Sequence, residues 1–101
     1  MEAPATCLPP GLVSYRRTPE FTEETVPAGL KRAHSTKEGV WGLIHVMEGE
    51  LRYRILDERR SHAELLLSAG SPPGIVEPAI LHEVEPVGPV RFQVEFLRAD
   101  A

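Results

Sequence analysis

At 101 residues the chain has room for one domain with a single core, and its 42% hydrophobic and 26% charged residues are ordinary for a globular protein. A net charge of −4 repels phosphate backbones, so nucleic acid is not an expected partner. No apolar run approaches the about 20 residues of a spanning helix and no charged–apolar–small leader opens the chain, so no membrane partner is expected and the cytoplasm is the default compartment.

Ten prolines and eight glycines favour short strands and tight turns over helices. Residues 1–12, rich in Pro and Ala and without periodicity, read as a flexible N-terminal arm. The single cysteine, Cys7, lies in that arm and has no partner for an intramolecular disulfide. Val13 and Tyr15 begin an edge strand that ends at Thr18-Pro19, and the Pro27-Ala28-Gly29 turn closes the loop that follows. Leu30 to His34 is the next short strand, closed by the polar turn Ser35 to Gly39. Val40 to Met47 is a continuous β-type run. Glu48-Gly49 then reads as a hairpin connection into Leu51, Tyr53 and Ile55, which alternate with Arg52 and Arg54. Asp57 to Ser61 forms a charged turn, Ala63 to Leu67 a strand (its triple leucine also suits a short helix), and Ser68 to Gly74 a loop. In the last strand Val90, Phe92, Val94 and Phe96 face inward while Arg91, Gln93 and Glu95 face out. Short strands with a turn signal between each pair point to an all-β sandwich or barrel. The basic groupings Arg16-Arg17, Arg52/Arg54 and Arg59-Arg60 all have acidic neighbours and read as solvated surface.

The strongest site signal is Glu77-Pro78-Ala79-Ile80-Leu81-His82-Glu83-Val84-Glu85. A proline fixes φ and lacks a donor, so Pro78 holds a turn from which the strand presents His82 at a defined height. A neutral imidazole on a rigid element is what a metal site in a small barrel needs. A hydrogen-bonded structural histidine is the plainer reading of the same residue. His45 falls opposite the inward phase set by Gly42, Ile44 and Val46, so it belongs to the outer face, and His62 follows a charged turn and reads as solvated. Trp41 reads as core or cavity wall. The sequence carries no nucleophile elbow, P-loop, Cys-x-x-Cys pair or Rossmann glycine pattern.

Trp41 to Leu51 looks like the end of the first cupin motif, and Pro78-x-x-x-His82 looks like the second. The run His34-Ser35-Thr36-Lys37-Glu38-Gly39-Val40-Trp41-Gly42, with Val76-Glu77-Pro78 and His82-x-Val84-Glu85, is more specific and resembles the YeaR-like family. That family includes the N-terminal domain of some tellurite-resistance B proteins. The resemblance covers about residues 13–97. It implies an all-β, single-domain cupin-like conical β-barrel (a double-stranded β-helix) over residues 13–98, holding a divalent metal ion. Zn²⁺ leads as that metal, with Fe²⁺ or Mn²⁺ behind it.

The chain departs from ordinary cupins in the first motif, which offers an H-x-H pair and a glutamate seven positions before the closing glycine. Here His34 stands for one histidine, its i+2 partner is Thr36, and the glutamate position counted back from Gly49 is Gly42. The resemblance therefore leaves His34 and His82 as metal ligands, with Glu77 or Glu85 as the carboxylate that completes the set; surface carboxylates are the plainer reading of both. Glu85 points away from His82 on a regular strand and joins only across a bulge, whereas Glu77 lies in the turn. Two histidines and a carboxylate with open positions suit Zn²⁺ or Fe²⁺. The functional expectation is a metal-binding, tellurite-resistance or stress-response domain that takes a small molecule or oxyanion at the open coordination site. Catalysis is left open. The alternative is a non-catalytic sensing or protein-interaction module. Exposed edge strands favour a homodimer.

Overall fold

The computed structural model describes residues 2–100, so Met1 of the expected arm lies outside the described residues. Two long strands carry the architecture. They are β3 (Trp41–Ile55) and β6 (His82–Ala99), paired antiparallel from Trp41↔Leu97 to Ile55↔His82. β1 (Leu12–Arg17) adds to the outer side of β6 and β4 (Ala63–Ser68) to the outer side of β3. The short β2 (Phe21–Thr22) also pairs with β6, and β5 (Gly74–Val76) with β3. The hydrogen-bonded path β1–β6–β3–β4 forms an open sheet that ends in two edges rather than closing into the expected conical barrel. The all-β class stands. No helix among the described residues is long and apolar enough to cross a membrane.

The hairpin expected at Glu48-Gly49 is not there. β3 runs straight through, because both of its halves pair with the same partner strand. Val46 pairs with Phe92 and Glu48 with Arg91, so Met47 is an extra residue opposite none. One inserted residue reverses the side-chain phase. Gly42 and Ile44 are buried before it, and Leu51, Tyr53 and Ile55 after it. Gly49 follows at φ 77°, and a Cβ there would lie 2.0 Å from the Pro89 carbonyl oxygen, so only glycine fits. On β6 the residues Gly88-Pro89 bulge between Val87, which pairs with Glu50, and Val90, which pairs with Gly49. That interruption lets β6 continue past Pro86 and Pro89, which cannot donate to a ladder.

The expected strand over Leu30 to His34 is instead a 3₁₀ helix, Ala28–Lys31, after which His34 forms a single antiparallel bridge to His82. Pro27 sets φ for the turn, and the Leu30 N–H donates to the Pro27 carbonyl at 3.0 Å. Fully buried Leu51, Tyr53, Phe92 and Ile44 centre the core, each contributing about 1.5–3 kcal/mol by burial. Residues ahead of β1 lie along the domain: Glu2 bridges to Arg60, and the Ala5 N–H donates to the Glu77 carboxylate at 3.1 Å. Leu65 and Leu66 on the outer strand β4 are exposed.

Candidate functional site

Two histidines far apart in sequence meet at the start of β6. The His34 N–H donates to the His82 carbonyl and the His82 N–H to the His34 carbonyl, each at 2.9 Å. Their rings meet at a tilt of 60° with centroids 4.2 Å apart, and the Tyr53 ring meets His82 edge-on at 5.6 Å. His34 Nδ1 lies 2.8 Å from the Arg32 carbonyl oxygen, and His82 Nδ1 lies 3.0 Å from that of Ile80. A carbonyl oxygen only accepts, so both Nδ1 atoms donate and Nε2 is the remaining nitrogen of each ring, carrying the lone pair whenever the ring is neutral. His82 is 4% exposed, and burial pushes its pKa down to about 4, with a smaller contribution from the neighbouring His34 ring. It is therefore a neutral acceptor near pH 7.

The turn before His82 is held from several sides. Pro78 and the positive φ of Ala79, 61°, mark it as a type II turn, closed by the Ile80 N–H and the Glu77 carbonyl at 3.5 Å. Buried Asp57 accepts the Leu81 N–H at 3.0 Å and pairs with Arg59 at 2.9 Å, and the guanidinium of Arg59 also donates to the Ala79 carbonyl. These bonds hold the Asp57 carboxyl well below the usual range, the Arg59 side chain first among them. Asp57 and Arg59 thus position His82. The sequence shows them only as part of a charged turn, and the Asp-x-Arg spacing was the sole local signal.

The candidate carboxylates lie elsewhere. Glu77 is engaged by Arg60 at 3.0 Å and by the Ala5 N–H. Glu85 is exposed, bound by Arg52 at 2.8 Å and Arg54 at 2.9 Å. His34 and His82 come together; Glu77 and Glu85 do not join them. Thr36, at the place of a second histidine, spends its hydroxyl on the Val40 carbonyl at 2.7 Å. At Gly42, the place of the glutamate, a Cβ would sit 3.1 Å from the Val76 Cβ, which leaves little space for a longer side chain. Among the described residues no group of three or more His, Cys, Asp or Glu could hold a metal ion. Two imidazoles fall short of the three or four protein donors of a resident zinc site. His45 lies on the outer face as expected, its Nε2 2.8 Å from Glu95, and His62 is exposed.

The histidine pair lines a cavity of about 610 Å³, within the size range of small-molecule sites. Phe21, Ile44, Val76, Val84, Phe92 and Val94 supply apolar wall. The mouth includes the exposed residues Tyr15, Arg16, Ser35 and Lys37. Arg16, which reads from sequence as plain surface, is therefore a cavity residue.

Residues 16–94 match the profile of the TehB-like domain. The chain belongs to the TehB-like domain family. The tellurite-resistance side of the sequence resemblance holds at that level. The domain is 33% identical over 75 residues to a protein of Haemophilus influenzae Rd named "Probable S-adenosyl-L-methionine-dependent methyltransferase TehB", and 32% identical to its namesake in strain 10810. Each match covers 73% of the chain but only 26% of the relative, so this TehB-like domain spans about a quarter of those proteins. The crystal structure of TehB from Haemophilus influenzae superposes with a TM-score of 0.81 at 28% identity, over 89% of this chain and 32% of that one. A crystal structure of a protein from Escherichia coli K12 superposes with a TM-score of 0.84 at 26% identity, over 96% of this chain and 100% of that one.

Proposed function

We propose that this TehB-like domain is a non-catalytic small-molecule-binding module in tellurite resistance or a related stress response, its open sheet serving as a cupin-like container. One observation carries the reading: an apolar cavity of about 610 Å³ with two Nδ1-protonated imidazoles in its wall. Apolar walls supply affinity, and the Nε2 lone pairs supply orientation by accepting from a hydroxyl or N–H on the ligand. A bare oxyanion finds only a lone pair at the free Nε2 of neutral His82, which argues against direct binding of such an ion to that imidazole. The methyl transfer named for the longer relatives belongs, on this reading, to the part of those proteins beyond the match. A cytoplasmic location fits the single, exposed Cys7.

The same lone pairs favour a second reading, in which a borderline cation sits on His34 and His82 and the ligand supplies the remaining donors. The two are separated by a thermal-shift screen of small organic compounds on wild type and His82→Gln, with and without chelator, beside elemental analysis of tag-free protein. Ligands that raise the melting temperature of wild type regardless of chelator, and that of His82→Gln less, support the first reading. Shifts abolished by chelator move the assignment to the second. Turnover that requires both His34 and His82 would sink the non-catalytic reading.

A further inference from the structure

The charges of the molecule are distributed unevenly around the cavity. Arg17, Arg52, Arg54, Arg59, Arg60 and Arg91 all sit in ion pairs with carboxylates. Arg16, Lys31, Arg32, Lys37 and Arg98 have no ion-pair partner among the described residues. In an anionic chain, with 15 Asp and Glu against 11 Lys and Arg, unpaired cations have ample carboxylates to choose from. Two of those five line the cavity, and the other three neighbour its lining residues in sequence or by stacking. Arg16 and Lys37 line the cavity mouth. Lys31 and Arg32 lie in the short segment between Leu30 and His34, both of which line the cavity. Arg98 stacks on the ring of Tyr15, another lining residue, with its guanidinium carbon 4.1 Å from the centroid. Arg16 is itself aligned by the Phe96 ring, 5.9 Å away, which lines the same cavity. The nearest acid in sequence, Glu38, is exposed and acts electrostatically on Arg59.

An apolar interior behind a mouth of unpaired cations is complementary to a molecule with an apolar body and one anionic end. We propose that the cavity selects amphipathic organic anions, an aromatic or branched aliphatic carboxylate or sulfonate, with the apolar part against Phe21, Ile44 and Phe92 and the anionic group at Arg16 and Lys37. This assignment rests on the ligand-binding reading and adds the ligand class. The interior explains why a hydrated inorganic anion is the poorer occupant: such an ion reaches the cations without filling the apolar space behind them.

Two probes with one apolar skeleton isolate the charge: 1-anilinonaphthalene-8-sulfonate and its uncharged parent N-phenyl-1-naphthylamine. Both are titrated by fluorescence into folded wild type and into the Arg16→Gln/Lys37→Gln double variant, at low and high ionic strength, with amide shifts of Gly42 and Val84 locating the probe. The expected result is a preference of about tenfold for the sulfonate in wild type, the scale of two partly screened charge contacts. That preference should fall with salt and vanish in the double variant, with binding of the uncharged parent unchanged. Equal affinity for the two probes, or a preference untouched by the double variant, overturns the anion assignment and leaves the cavity reading standing. Failure of both probes to perturb Gly42 and Val84 overturns the cavity reading together with the assignment.

Discussion

Buried His82 makes the domain sensitive to mild acid in a way that can be worked out. Its folded pKa is about 4 against an ordinary value of 6.5, so burial favours the neutral ring. Between those two values the unfolded chain binds a proton that the folded chain refuses. Stability therefore rises with pH through this window and is lost as pH falls from 6.5 towards 4. Integrated from pH 7 down to pH 5, the loss is about 2 kcal/mol, or a fall of about 10 °C in melting temperature for a domain of this size. The depressed carboxyls of Asp57, Glu77, Glu85 and Glu95 work in a lower range: their stabilisation is lost only as pH drops below ordinary carboxylate values. The assay is a series of thermal melts between pH 7 and pH 5 on wild type and His82→Gln. The variant will melt lower throughout, because it loses packing against His34 and Tyr53, but its profile across the window should be nearly flat. Parallel slopes for the two proteins would refute the argument, since the titrating group would then lie elsewhere.

Three further outcomes are expected. Long-range ¹H–¹⁵N spectra at neutral pH should show His34 and His82 as Nδ1–H tautomers, and an Nε2–H pattern on either would remove the lone pair assigned to it. Ala79→Gly should raise stability by about 1 kcal/mol in chemical denaturation, because glycine relieves the cost of the left-handed conformation at φ 61°. Gly49→Ala should lower it by about 3 kcal/mol or more in the same assay, since it combines a positive φ with a collision on the Pro89 carbonyl; a loss below about 1 kcal/mol would mean that β6 yields easily there.

Local pattern carried much of the architecture. Alternation over Val90 to Phe96 gave the inward face of β6, and Pro78 gave the turn that presents His82. The bulges were hidden, because a glycine after an acidic residue looks the same in a hairpin as in a bulge. What separates them at Gly49 is the pairing of both halves of β3 with one strand dozens of residues away. Pro86 and Pro89 have a place inside a strand because β6 bulges opposite Gly49. Within the site, His34 was legible through the resemblance and His82 through its turn. The partners of Glu77 and Glu85 were not, since Arg60 reaches Glu77 from a distant loop and Arg52 and Arg54 reach Glu85 across the ladder. Asp57 looked like one more solvated charge until its bond to the Leu81 N–H was seen.

The β3–β6 ladder also has a kinetic direction. Its pairing nearest in sequence is Ile55↔His82 and its most distant is Trp41↔Leu97. Loop-closure entropy makes the near pairing cheaper by about 0.6 kcal/mol, since it closes a loop about half as long, which favours assembly from the histidine end towards the Met47 bulge. The part of the chain that holds His82 in place is thus also the part that fixes the register for every pairing formed after it.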